Sequence, residues 1–222
     1  MLAKMFMFEW RYFTRQPSFY ISASIFFILA ISVTNMQNLL NDLGSNVHIN
    51  GPFFIAKVMS MFGLFAMILV VNFMSNSALR DHESDMAEIL YCKPINAVMY
   101  QTGRFLATFV VIVVIFSTVP IGLLIGSLMP WVAPERLGPS NIAYYLTTFF
   151  YISVPALFVT SCLFYAIAIR LKAMMPIYLS LIAVFALYNA SGTLFLSNPA
   201  LGSLMDPFAI NTFQEISRRQ EP

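Results

Sequence analysis

The sequence predicts an all-α, polytopic membrane protein of about five transmembrane helices with its N-terminus in the cytoplasm, and three observations carry that prediction. Of 222 residues, 59% are hydrophobic and 10% charged, whereas soluble domains are roughly half apolar and a quarter charged. The apolar residues gather in five runs, each near the roughly 20 residues that cross ~30 Å of hydrocarbon as a helix. Apart from Lys57, placed to snorkel near the start of the second run, the runs hold no Asp, Glu, His, Lys or Arg.

Residues 1–16 read as an interfacial amphipathic helix. Lys4, Phe8, Arg11 and Arg15 follow one helical stripe, while Leu2, Met5, Phe6, Tyr12 and Phe13 crowd another. Trp10 and Tyr12 suit that depth. The same residues also fit a simple basic flank before a span. Pro17 belongs at an elbow where the chain turns into the bilayer. Apolar residues interleave with the cations and no small-residue cleavage site follows, which argues against a cleaved signal peptide.

Residues 17–196 form the transmembrane domain, with spans predicted at about 19–36, 53–77, 105–129, 142–169 and 173–196. The RLK break at 170–172 makes the last two a tight helical hairpin. Pro120, Pro155 and Pro176 fall inside spans, where each removes a backbone donor and bends its helix. Orientation follows from the cations, which are retained in the cytoplasm. With the N-terminus inside, Lys4, Arg11, Arg15, Arg80, Lys93, Arg104, Arg170 and Lys172 are cytoplasmic, and Lys57, Arg136, Arg218 and Arg219 lie outside. The first two outward loops, 37–52 and 130–141, are poor in cations.

Residues 78–104 are the long charged segment between two lipid-compatible blocks, and are expected in water. Asp81, Asp85 and Glu88 share one helical face, with Met86, Ile89 and Leu90 as a neighbouring apolar patch, and Lys93-Pro94 stops the helix. Carboxylates are repelled by an anionic leaflet, so a protein partner explains this helix better than the headgroups do. The outward tail, 197–222, carries Asp206 and Pro207 at positions suited to an N-cap and first turn, with Phe208, Phe213 and Ile216 on one face. It reads as a short amphipathic helix at the outer interface or as an unstructured tail.

The chemistry-bearing residues exclude several function classes. A net charge of +2 offers no surface for nucleic acid. Cys92 and Cys162 lie in unlike segments, without metal-ligand spacing. His48 and His82 fall on opposite sides of the membrane, and the fourteen methionines read as flexible filler rather than copper ligands. No HExxH, GxSxG or phosphate-binding Gly-Lys loop occurs, and no internal repeat aligns the halves. Without an intramembrane acid or base for proton exchange, any energy for work enters from elsewhere. Asn72, Asn76, Asn189, Ser191 and Thr193 serve as helix glue or line a polar path, and Gly122 and Gly126 form a GxxxG for close helix approach.

RDHESDMAEILYCKPI, followed by a Gly-Arg and a long apolar span, resembles the segment between the second and third spans of type-2 ABC-exporter permeases. FEWRYFTRQPSFY, MPWVAPERLGPS and DPFAINTFQEI resemble the N-terminal part of bacterial ABC permeases fused to an M1-like aminopeptidase. The resemblance implies a six-helix half-transporter in the bacterial inner membrane, paired with a second permease copy or half. It also implies a separate nucleotide-binding ATPase that carries ATP and magnesium and docks on a coupling helix at about 78–91. Arg80, Asp81, Glu83, Asp85, Glu88, Tyr91 and Lys93 are the residues it assigns to that docking. The sequence departs from the pattern in stopping before a sixth span and before the later membrane and peptidase regions. The chain itself is expected to bind no cofactor and to perform no covalent chemistry; its other partner is membrane lipid. The alternative expectation is an accessory or assembly protein that recruits a soluble partner through the same loop without transport.

Overall fold

The computed structural model describes residues 2–35, 48–83, 97–139, 141–194, 206, 208 and 210. The elements are α1 (Leu2–Thr14), α2 (Pro17–Val33), α3 (Pro52–Glu83), α4 (Ala97–Phe116), α5 (Thr118–Ser127), α6 (Ile142–Thr148), α7 (Val154–Leu171) and α8 (Met174–Leu194). A 3-10 turn, Pro134–Arg136, precedes α6, and a π-helical turn, Phe149–Ser153, joins α6 to α7. Among the described residues there is no strand.

Among the described residues three stretches are long and apolar enough to cross a membrane: Pro52–Asp81, Val98–Ser127 and Ile142–Leu171. Helices α1 and α2, bent by 68° at residues 15–16, make a fourth if taken as one broken span. Three to four such spans among the described residues fit a helical multi-pass membrane protein. Alone, α2 has 17 residues, which at the α-helical rise reach about 26 Å, just under the thickness of the hydrocarbon.

Two boundaries differ from the sequence reading. The second helix does not stop at 77 but runs on to Glu83, and the third begins at Ala97 rather than at 105. Both extensions carry charged residues, which the sequence alone assigns to water; the reason they remain helical lies in their pairing, described below. The elbow stands at Gln16, in extended conformation, and Pro17 opens α2, where its missing N–H costs nothing.

Helix α3 is the centre of the fold: 72% of its apolar window is enclosed by protein, against 44% for each of the other two spans. It packs mainly on α7 and α4, α2 packs on α5, and α1 lies along α4. The core runs through Phe26, Phe54, Phe62, Val70, Phe73, Ile112, Phe116, Leu157 and Phe164.

The prolines act locally. Pro120 stands one turn into α5, whose break from α4 falls at Ser117. Pro155 follows the π-helical turn, in which the Val154 N–H donates to the Phe149 carbonyl five residues back. The wider turn thus falls directly before the residue that has no N–H to donate into the preceding turn. Pro176 sits in the first turn of α8, where no intrahelical donor is lost.

On one side of the bundle the two loops expected to face outward are joined. The Asn50 side chain donates from Nδ2 to the Gly138 carbonyl at 2.6 Å and accepts from the Gly138 N–H at 2.8 Å. The Ile49 N–H donates to the Arg136 carbonyl at 3.0 Å, and the Trp131 indole donates to Thr34 Oγ1 at 3.3 Å. Near the same end, Phe208 is buried against α3, with its ring 3.3 Å from where a Cβ on Gly63 would lie. Asp206 Oδ1 accepts from Tyr188 O–H at 2.7 Å and from the Phe208 N–H at 3.3 Å. Phe213 and Ile216 lie outside the described residues.

At the opposite end α7 closes at Lys172, whose φ of 52° places a non-glycine residue in the left-handed region while its N–H donates to the Ala168 carbonyl at 3.1 Å. Glycine favours this position because it has no Cβ to clash. Lys172→Gly is expected to stabilise the protein by about 1 kcal/mol, seen as a higher unfolding temperature in detergent; an unchanged or lower temperature would show that the Lys172 side chain offsets the strain.

Candidate functional site

The end of the bundle nearest residues 84–96 holds a buried cluster of four charges drawn from three helices. Helix α1 turns Lys4, Phe8 and Arg11 outward, with Arg15 exposed just past its end, and turns Glu9 and Phe13 inward, where both are fully covered. The Phe13 ring meets Phe73 of α3 at 5.5 Å between centroids, which fixes the depth of α1. One turn before Phe13, Glu9 is thereby carried to the ends of α3 and α4.

There Glu9 Oε1 accepts from Arg80 Nη2 and lies 3.0 Å from Arg104 Nε. Arg104 reaches the other way with Nη1, donating to Asp81 Oδ2. Tyr100 O–H donates to the same Asp81 oxygen at 2.9 Å and accepts from Arg104 Nη1 at 3.2 Å. The order Arg80, Glu9, Arg104, Asp81 alternates in sign and sums to zero charge. Arg104 and Glu9 have fully buried side chains, and those of Arg80 and Asp81 are 19% and 20% exposed. The Arg80 guanidinium also lies 4.1 Å from the Tyr12 ring centroid, a cation–π contact back to α1. Alongside, Tyr165 of α7 donates to Gln101 Oε1 at 2.6 Å and packs edge-on against Phe105.

Buried charges persist only when paired and hydrogen-bonded, because removing an ion from water costs several kcal/mol or more. Here the pairing holds α1, the last turn of α3 and the first turns of α4 in one geometry. The expectation that Arg80 through Arg104 sits in water is therefore corrected at Arg104, which is fully covered, and at Arg80 and Asp81, which face neighbouring helices. The alternation offers electrostatic order: Glu9 Oε1 and Asp81 Oδ2 are held by guanidinium and phenol donors, while buried Glu9 Oε2 and Arg104 Nη2 have no hydrogen-bond partner among the described residues.

Arg80 and Asp81 thus join the cluster. The Glu83 side chain, and Asp85, Glu88, Tyr91 and Lys93, lie outside the described residues. Glu9 and Arg104 are absent from the sequence-predicted site. Glu9 was open to detection as the one acid among the cations of residues 1–16, on the same face as Phe13.

The polar and small residues of the spans separate into two groups. Gly122 and Gly126 meet α2 closely: a Cβ on Gly122 would lie 2.8 Å from Ala30 Cβ and 2.9 Å from the Phe27 carbonyl, and one on Gly126 would lie 2.8 Å from both Thr34 Oγ1 and Cγ2. Ala30 and Thr34 share the four-residue spacing, so two small-residue stripes interlock. Asn72 instead faces an apolar crevice of ≈ 590 Å³ between α2 and α3, with Ser22, Leu29, Phe62 and Phe65 among its walls. Asn76 is half-buried, and exposed Asn189 donates from Nδ2 to the Phe185 carbonyl of its own helix at 2.8 Å. The Ser191 and Thr193 side chains lie outside the described residues. Comparison of the chain with protein families, curated proteins and solved structures returns no match.

Proposed function

We propose that this chain is the membrane-spanning permease subunit of an ATP-driven ABC transporter of the bacterial inner membrane, working in export with a second permease copy or half. In this reading a separate ATPase binds residues 78–91, its nucleotide cycle moves that segment, and the spans reorient around a translocation path. Five spans and an N-terminus inside belong to the same proposal.

The observation that carries it is the charge cluster. Asp81 and Arg104 bracket residues 84–96 and are bonded to each other, and through Glu9 and Arg80 to α1. A load applied to that segment reaches α1, α3 and α4 together, because these ion pairs tie all three helices.

Co-purification with a candidate partner ATPase tests the proposal. Asp85→Lys with Glu88→Lys is expected to cut ATPase retention at least tenfold, since like charges across a docking surface cost several kcal/mol; undiminished retention in the double variant would sink it. Cysteines placed at Ser84 and Ser140, both outside the described residues, are expected to label from opposite sides of the membrane. Labelling of both from one side would overturn the orientation.

A further inference from the structure

We propose that the outward face of α1 is a docking surface selective for anionic phospholipid headgroups. Its cations are concentrated. Lys4, Arg11 and Arg15 are all exposed on one stripe, and among the described residues none of the three forms a salt bridge. The one acid of the helix, Glu9, is turned inward and held by Arg80 and Arg104, so no carboxylate of α1 stands on this face.

The apolar side chains on the same face decide what kind of anion fits. Met7 and Phe8 are 50% and 59% exposed, between the cations. With Lys4, Arg11, Tyr12 and Arg15 they line a shallow groove of ≈ 640 Å³. A phospholipid supplies both halves of the complement, a phosphate for the guanidinium and ammonium groups and acyl carbon for Met7 and Phe8. The 68° bend sets the pose: with α2 along the bilayer normal, α1 lies at the complement, roughly 22° from the membrane plane. An acidic protein segment would match the charge but leave Met7 and Phe8 without acyl partners.

A tryptophan in the groove itself gives a direct readout: Phe8→Trp, with the chain's two native tryptophans removed by Trp10→Phe and Trp131→Phe. This protein is reconstituted into bilayers containing brominated phosphatidylglycerol or brominated phosphatidylcholine, and quenching of its single tryptophan reports which lipid stands against α1. Phosphatidylglycerol is expected to be enriched over its bulk fraction, with the enrichment falling about five-fold for each cation removed in the series Lys4→Gln, Arg11→Gln and Arg15→Gln. High salt should weaken it as well. An unchanged unfolding temperature of the triple variant would confirm that the fold is intact. Equal quenching by the two lipids in the parent protein would overturn the proposal and leave this face to an acidic protein partner. Enrichment that survives all three substitutions would overturn it too.

Discussion

Arg104→Gln is expected to destabilise the protein by about 3–5 kcal/mol, because it leaves Glu9 and Asp81 without the cation both of them contact. Unfolding in mixed micelles measures the loss. Arg104→Lys should recover only part of it. A guanidinium reaches Glu9 through Nε and Asp81 through Nη1 at once, whereas an ammonium at the end of a flexible stem is a single point of charge. A double-mutant cycle then separates pairing from packing. Glu9→Gln in the Arg104→Gln background removes a partner whose ion pair with Arg104 is already broken, so the two changes together should cost less than their sum by more than about 1 kcal/mol. Strict additivity would mean that the two side chains act independently, and the coupling assigned to the cluster would fall with it.

Gly122→Val should be nearly as damaging. Its first added carbon already comes within 2.8 Å of Ala30 Cβ and 2.9 Å of a backbone oxygen, and a backbone oxygen cannot rotate away. Either α2 shifts or the contact is lost, at a cost of about 1–3 kcal/mol for overpacking of this kind. Gly122→Ala combined with Ala30→Gly is the controlled version. The swap relieves the side-chain clash but keeps the approach to the Phe27 carbonyl, so partial recovery of the unfolding temperature is expected. Full tolerance of Gly122→Val would show that α2 and α5 are not locked at this point.

The apolar runs were legible because lipid demands them, and a backbone in hydrocarbon has few alternatives to the helix. The GxxxG of Gly122 and Gly126 was legible as a close approach, though not its partner, since Ala30 and Thr34 lie some ninety residues earlier. The ends of the helices were hidden for a related reason. Arg80, Asp81 and Arg104 read as water-soluble when only their neighbours are considered, and what buries them is Glu9, 71 residues before Arg80. A sequence-local reading assigns each charge to solvent. Only tertiary pairing shows that these charges neutralise one another.

The interlock between α2 and α5 also sets a timetable for synthesis. Between Thr34 and Gly122 the ribosome must add 88 residues, which at ordinary rates takes about 4–18 s. Through that interval α2 must reside in the bilayer without the helix it finally holds, as α3 and α4 are inserted. It is equipped to wait: residues 17–33 carry no charge, and every interior backbone group is satisfied within the helix. Its small-residue stripe, Ala30 and Thr34, stays unengaged until α5 arrives. Nascent chains halted before Gly122 should therefore leave α2 open to crosslinking by lipid and chaperone, and chains released past Ser127 should close it.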